Sequence, residues 1–261
     1  MLIKRKIKKE KDLEKPPKRG VYILPNALTL CGMFLGFYAI ISTINEKYLY
    51  AAWAIILANI FDGLDGLIAR LTRTTTRFGI ELDSLSDLVT FGIAPAILIY
   101  KWGLLDFGRV GFAVAFLFTA CGALRLARFN VQVLSIKSFK GLPTPGAATL
   151  IASLVVFCIQ IVEYTPRKNP FFLILTVLLS FLMVSNLKFH ALKEIDFKKK
   201  KPFWLLIIFI IILFFIVVHP PVAVFVLVSI YVVSGIIENI VIFIKKKKKI
   251  EVIQDEKNKN F

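Results

Sequence analysis

Phe61-Asp-Gly-Leu-Asp-Gly-Leu-Ile-Ala-Arg70 and Phe78-Gly-Ile-Glu-Leu-Asp-Ser-Leu-Ser-Asp87, joined by the polar run Leu71-Thr-Arg-Thr-Thr-Thr-Arg77, place four aspartates between long apolar stretches. At helical spacing Asp62, Asp65, Gly66 and Arg70 share one face, because residues three and four apart are neighbours on a helix surface. Asp83 and Asp87 share a face of the next helix in the same way. The threonine-rich run between them reverses the chain, so two antiparallel helices present two carboxylates each to one space. A charged side chain at the centre of a membrane helix costs roughly 2.5–3.5 kcal/mol on insertion scales. Four carboxylates together also repel one another, so their convergence calls for cations.

The surroundings of this stretch decide the class of protein. The 261 residues are 57% hydrophobic with a mean hydropathy of +0.73, above the roughly 45–50% apolar content of soluble domains. A hydrocarbon core takes about 20 apolar residues per helix. Windows of that size predict eight spans, at 23–43, 49–71, 84–102, 110–128, 145–163, 170–187, 203–218 and 220–244. The expected fold is therefore all-α, a polytopic membrane bundle.

The net charge of +17 is arranged for a membrane and not for nucleic acid. With the N-terminus cytoplasmic, 29 of the 34 Lys and Arg fall on the cytoplasmic side. That is the positive-inside pattern, and it puts both termini and the aspartate stretch on the cytoplasmic face of a cell membrane. Cys31, Cys121 and Cys158 all lie in apolar spans and read as buried free thiols. The chain divides into a basic arm at 1–20, a core at 21–190, two further helices with a basic loop at 191–244, and a basic tail at 245–261 expected to be disordered.

Oxygen-only ligands suit Mg²⁺ or Mn²⁺, and two such ions about 3.5–4 Å apart suit phosphoryl transfer. Gly66, Ala69 and Gly79 leave helix surface bare for a ligand to approach, although small residues also serve helix packing in membranes. Arg70, one turn past Gly66, is placed to pair a phosphate. Asn26 and Thr29, at the mouth of the first span, either contact a nucleotide or cap the helix after Pro25.

The pattern D-x-x-D-G-x-x-A-R-x(8)-G-x-x-x-D-x-x-x-D, filled by Asp62, Asp65, Gly66, Ala69, Arg70, Gly79, Asp83 and Asp87, resembles the signature of the CDP-alcohol phosphotransferases. The resemblance implies a six-helix core around a cytoplasm-facing polar cavity, with about two extra C-terminal helices here. It implies that Asp62, Asp65, Asp83 and Asp87 bind two divalent cations and that Asp87 is also the general base. It further implies that the glycines and Ala69 shape a cytidine pocket, and that the enzyme is a homodimer. Leu24–Leu30, Glu81–Ala96, Ala123–Asn130, Gly141–Pro145 and Val184–Asn186 resemble the phosphatidylserine synthase branch. The implied reaction turns CDP-diacylglycerol and L-serine into phosphatidylserine and CMP.

Serine needs a cation for its carboxylate. Arg125 and Arg128, three apart near the membrane surface, are expected to bind that carboxylate or the lipid phosphate, with Asn130, Lys140 and Asn186 as further candidates. Snorkelling anchorage is the simpler role for either arginine. One rival is a relative that uses glycerol 3-phosphate or an inositol phosphate as acceptor. A remoter one is a divalent-cation transporter, which would need polar groups near the membrane midplane, whereas these aspartates cluster at one surface.

Overall fold

A computed structural model describes residues 23–72, 76–132, 141–164, 166, 168–187, 210 and 214–259. Among them every regular element is helical: α1 Ile23–Ile44, α2 Tyr48–Thr72, α3 Arg77–Phe107, α4 Arg109–Gln132, α5 Thr144–Gln160, α6 Pro170–Val184 and α7 Pro220–Lys259. Five of these, α1 to α4 and α7, are long and apolar enough to cross a membrane. The fold is an all-α polytopic membrane bundle, as the hydropathy predicted.

α1 and α2 form a tight antiparallel hairpin. Lys47 N–H closes onto Ser42 C=O at 2.8 Å, and Glu46 takes a left-handed φ of 59° to make the turn. α3 then lies against α1 at Gly36, where an added Cβ would sit 2.5 Å from Thr90 Oγ1 and 2.7 Å from its Cα. Only glycine permits that approach. Gly32 and Gly36 make a small-xxx-small face, and Thr90 Oγ1 donates to Gly32 C=O at 3.3 Å across it.

α3 is not a uniform helix. Leu88–Ile93 and Tyr100–Leu104 are π-helical, separated by the α-helical Ala94–Ile99. Pro95 supplies a cause for the first widening: it lacks an N–H and its ring crowds the carbonyl four residues earlier. Ala94 N–H bonds instead to Val89 C=O, five residues back. The widened turn starts immediately after Asp87, so the aspartate-bearing α-helical segment ends there.

α5 is the axis of the bundle. It packs on α2, α3 and α7, and most of its residues are buried, including Ala147, Ala148, Ile151, Ala152, Val155 and Val156. Apolar all round, it behaves as a fully enclosed helix.

Several expectations change. The apolar window of the third span starts at residue 84; the helix that carries it, expected to include Asp83, begins at Arg77, with the Thr76 side chain capping Gly79 N–H at 3.0 Å. A polar first turn with a threonine cap starts the helix before hydropathy can detect it. α5 and α6, at 17 and 15 residues, are shorter than a full span. α7 runs on to Lys259, where a disordered tail was expected, because a helix already nucleated by its apolar half propagates cheaply through good helix formers. The span expected at 203–218 falls largely outside the described residues, although 214–218 are helical. The arm at 1–20 lies outside them altogether. Cys121 and Cys158 are buried, but Cys31 is on the outer surface of α1.

Candidate active site

The two halves of the aspartate stretch meet as antiparallel neighbours at one end of α2 and α3. Carboxylate oxygens of Asp62, Asp83 and Asp87 lie within 4.8 Å of one another. They border a small polar recess with Asp65, Ser86, Thr29 and Thr90. No Lys or Arg is among the described residues that line it. Three converging carboxylates without a basic neighbour in the recess fit a divalent cation by charge and by donor chemistry, since all the donors are hard oxygens.

Asp65 is the aspartate held differently. It is 6% exposed, and its Oδ2 accepts from Thr29 Oγ1 at 2.7 Å. Ser86 Oγ in turn donates to Thr29 C=O at 3.1 Å. α1 thus fixes the orientation of a carboxylate on α2 and is itself tied to α3. Thr29 therefore does more than the expected nucleotide contact or cap. Neither motif spacing nor hydropathy shows this, because the partners are 36 residues apart.

Beside the recess opens a cavity of about 150 Å³, lined by Asn26, Thr29, Asp65, Gly66, Ala69, Arg70, Gly79 and Asp83, with Pro25, Thr76 and Ile80. All six residues expected at the nucleotide are in this wall. The small residues keep it open. An added Cβ on Gly79 would sit 3.1 Å from Asn26 Oδ1, and one on Gly66 would sit 3.6 Å from Arg70 Nη1. The Arg70 guanidinium therefore folds back over Gly66, at the edge of the cavity.

Four of the residues expected at the acceptor lie at the ends of α4 and α6. Arg125 on α4 donates from Nη1 to Thr144 Oγ1 at 2.9 Å, at the start of α5. Its Nε is buried without a hydrogen-bond partner, and its guanidinium lies within electrostatic range of Asp87. Arg128 donates from Nη2 to Asn186 Oδ1 at 2.7 Å and from Nη1 to Val184 C=O at 3.4 Å. Asn130 Nδ2 donates to Ser84 Oγ at 3.0 Å. Arg128, Asn130 and Asn186 thus tie α4 to α6 and α3, whereas Arg125 is held at the start of α5. Lys140 lies outside the described residues. Its neighbour Gly141 takes a φ of 85° and donates to Leu187 C=O at 2.8 Å, which fastens the entry of α5 to the end of α6.

A site that pairs a carboxylate cluster with a small-residue cavity has a counterpart among known families. The chain belongs to the CDP-alcohol phosphatidyltransferase family, whose sequence model matches residues 22–182. Relatives sharpen the comparison. A CDP-diacylglycerol–serine O-phosphatidyltransferase of Helicobacter pylori is 39% identical over 186 residues, 70% of this chain and 78% of that protein. An archaetidylserine synthase of Methanothermobacter thermautotrophicus is 37% identical over 168 residues, 64% of this chain and 69% of that one. A Bacillus subtilis CDP-diacylglycerol–serine O-phosphatidyltransferase is 34% identical over 172 residues, which are 66% of this chain but 92% of the relative.

Proposed function

We infer that this chain is a CDP-diacylglycerol–serine O-phosphatidyltransferase, moving the phosphatidyl group from CDP-diacylglycerol to L-serine with release of CMP. The observation that carries the reading is the convergence of Asp62, Asp83 and Asp87 within 4.8 Å beside a small-residue cavity, in a chain related to enzymes of that name.

Asp62, Asp65, Asp83 and Asp87 would hold two divalent cations, Mg²⁺ or Mn²⁺, which would neutralise the pyrophosphate and make CMP a better leaving group. Gly66, Ala69 and Gly79 admit the cytidine end against bare backbone, with Asn26 and Arg70 at its polar edges. Thr29 keeps Asp65 aimed into the site. The serine hydroxyl attacks the lipid-bearing phosphorus while Asp87 takes its proton. The new P–O bond forms as the bond to CMP breaks.

Arg125 is the better partner for the serine carboxylate. Its Nε is unpartnered and it stands near Asp87, whereas the Arg128 guanidinium is engaged by Asn186 and Val184. A carboxylate seated on Arg125 brings the serine hydroxyl toward the base. Arg128, Asn130 and Asn186 frame this side.

The protein is a multi-pass membrane protein. We assign the active site and both termini to the cytoplasmic face of the cell membrane, on the asymmetry of Lys and Arg. The resemblance to the family supports a homodimer, to be tested by cross-linking in native membranes.

The test is CMP release by the purified full chain in detergent with CDP-diacylglycerol or its ether-linked counterpart. L-serine, glycerol 3-phosphate and an inositol phosphate are compared as acceptors. Release that requires serine is expected; release only with a phosphorylated acceptor would replace the substrate while keeping the family.

A further inference from the structure

α7 lies outside the residues matched by the family. Nearly all of the Bacillus subtilis relative aligns with two thirds of this chain, so about a third of this chain is additional to what that relative aligns with. The structure shows where one part of that addition goes. α7 packs along α5, with Phe225 stacked on Phe157 at 4.8 Å between ring centroids. Ala223 and Val232 are buried, and Phe225, Val228, Tyr231 and Ile236 pack on the core. Phe225, Val228, Val232 and Ile236, three or four residues apart, lie on one helical face, with Tyr231 at its edge.

Tyr231 differs from the rest of that face in carrying a polar tip. Its ring edge reaches the first turns of α5, where an added Cβ on Gly146 would lie 3.5 Å from Tyr231 Cε1. Two residues earlier, Thr144, fully buried, accepts the hydrogen bond from Arg125 Nη1 at 2.9 Å. Tyr231 is itself within electrostatic range of the Arg125 guanidinium. The ring therefore packs on α5 two residues along from the threonine that holds Arg125, whose buried Nε has no hydrogen-bond partner. Tyr231 is half-buried, and a phenol combines a rigid apolar wall with a polar end, which suits a guanidinium that is to stay extended toward a ligand inside a membrane bundle.

We propose that Tyr231 is a positioning residue for the acceptor side of the active site. From the additional helix it packs on the start of α5 at Gly146 and keeps the Arg125 guanidinium in the orientation that receives the serine carboxylate. This rests on the acceptor reading of Arg125 given above. Gly146 is part of the same device, because the bare backbone there lets the ring reach the start of α5.

The test is steady-state CMP release by the full-length protein with Tyr231→Phe and Tyr231→Ala, varying L-serine and CDP-diacylglycerol separately. Tyr231→Phe keeps the ring on Gly146 and guards against loss of fold. We expect the KM for serine to rise about threefold in Tyr231→Phe and about tenfold in Tyr231→Ala, with kcat and the KM for CDP-diacylglycerol within about twofold of the parent. A purely structural role would lower the amount of active protein without separating the two KM values. If the parent protein is serine-dependent and both folded variants keep its serine KM, the Tyr231 role is overturned alone. A parent protein that releases no CMP with serine would overturn the substrate reading and this role with it.

Discussion

The active site is built from two sides that use opposite charges and opposite strategies. The acidic side comes from one continuous stretch, Asp62 to Asp87, folded back on itself by α2 and α3, and its geometry follows from spacings of three and four. The basic side is assembled from the ends of α4, α5 and α6, with Arg125 held by Thr144 and Arg128 by Asn186. The acids must converge to hold cations, so a short rigid hairpin suits them. The side proposed for the acceptor would have to discriminate a small zwitterion, and its groups are set by neighbours far away in sequence. On the proposed reading, the difference teaches that the cation-binding chemistry sits on a local motif, while acceptor choice sits on tertiary contacts.

The largest expected effect breaks the acidic side. Asp87→Asn should lower CMP release by about 10³-fold or more, since it removes both a cation ligand and the base. Thermal stability should be kept, as measured by the unfolding midpoint in detergent. Chelation should do the same reversibly: EDTA abolishes release, and added Mn²⁺ or Mg²⁺ restores it. Persistence of activity after exhaustive chelation would contradict the cation reading.

On the basic side the two arginines should separate. Arg125→Lys keeps the charge but loses the planar fork, and should raise the serine KM by about tenfold to 100-fold with little change in the KM for CDP-diacylglycerol. Arg128→Lys should change it by about threefold at most and register mainly as lower stability. Equal effects of the two on serine KM would dissolve the distinction between them.

Thr29→Val probes the link between α1 and Asp65. Loss of the 2.7 Å hydrogen bond should weaken the apparent affinity for the activating cation by about tenfold, as outer-shell partners do. Saturating metal should recover most of the rate. The smallest expected effect on chemistry comes from Gly36→Ala. Its Cβ meets the Thr90 backbone, so about 1–3 kcal/mol of stability is lost by overpacking, visible as a lower unfolding midpoint with serine KM unchanged.

Much of this was legible beforehand because it is periodic. The aspartates and the small residues at Gly66, Ala69 and Gly79 obey helix spacing, and hydropathy located the helices. What stayed hidden depends on contacts across the bundle. The hydrogen bond from Thr29 to Asp65 spans two helices. The commitment of Arg128 to Asn186, and the freedom of Arg125 Nε, depend on where α6 ends against α4. The π-helical turn after Asp87 arises from the interplay of Pro95 with the ladder before it, which no window average detects. The helical tail to Lys259 was missed because a charge run read by composition says solvated, and solvated is not the same as unstructured.

The most direct test of the account is Mn²⁺ binding followed by electron paramagnetic resonance on the purified chain, comparing the parent with Asp62→Asn and Asp83→Asn. The account predicts a saturable bound-Mn²⁺ signal in the parent that each substitution removes or weakens at least about tenfold. Unchanged binding in both folded variants would show that these carboxylates do not hold the cation, and would contradict the mechanism built on them.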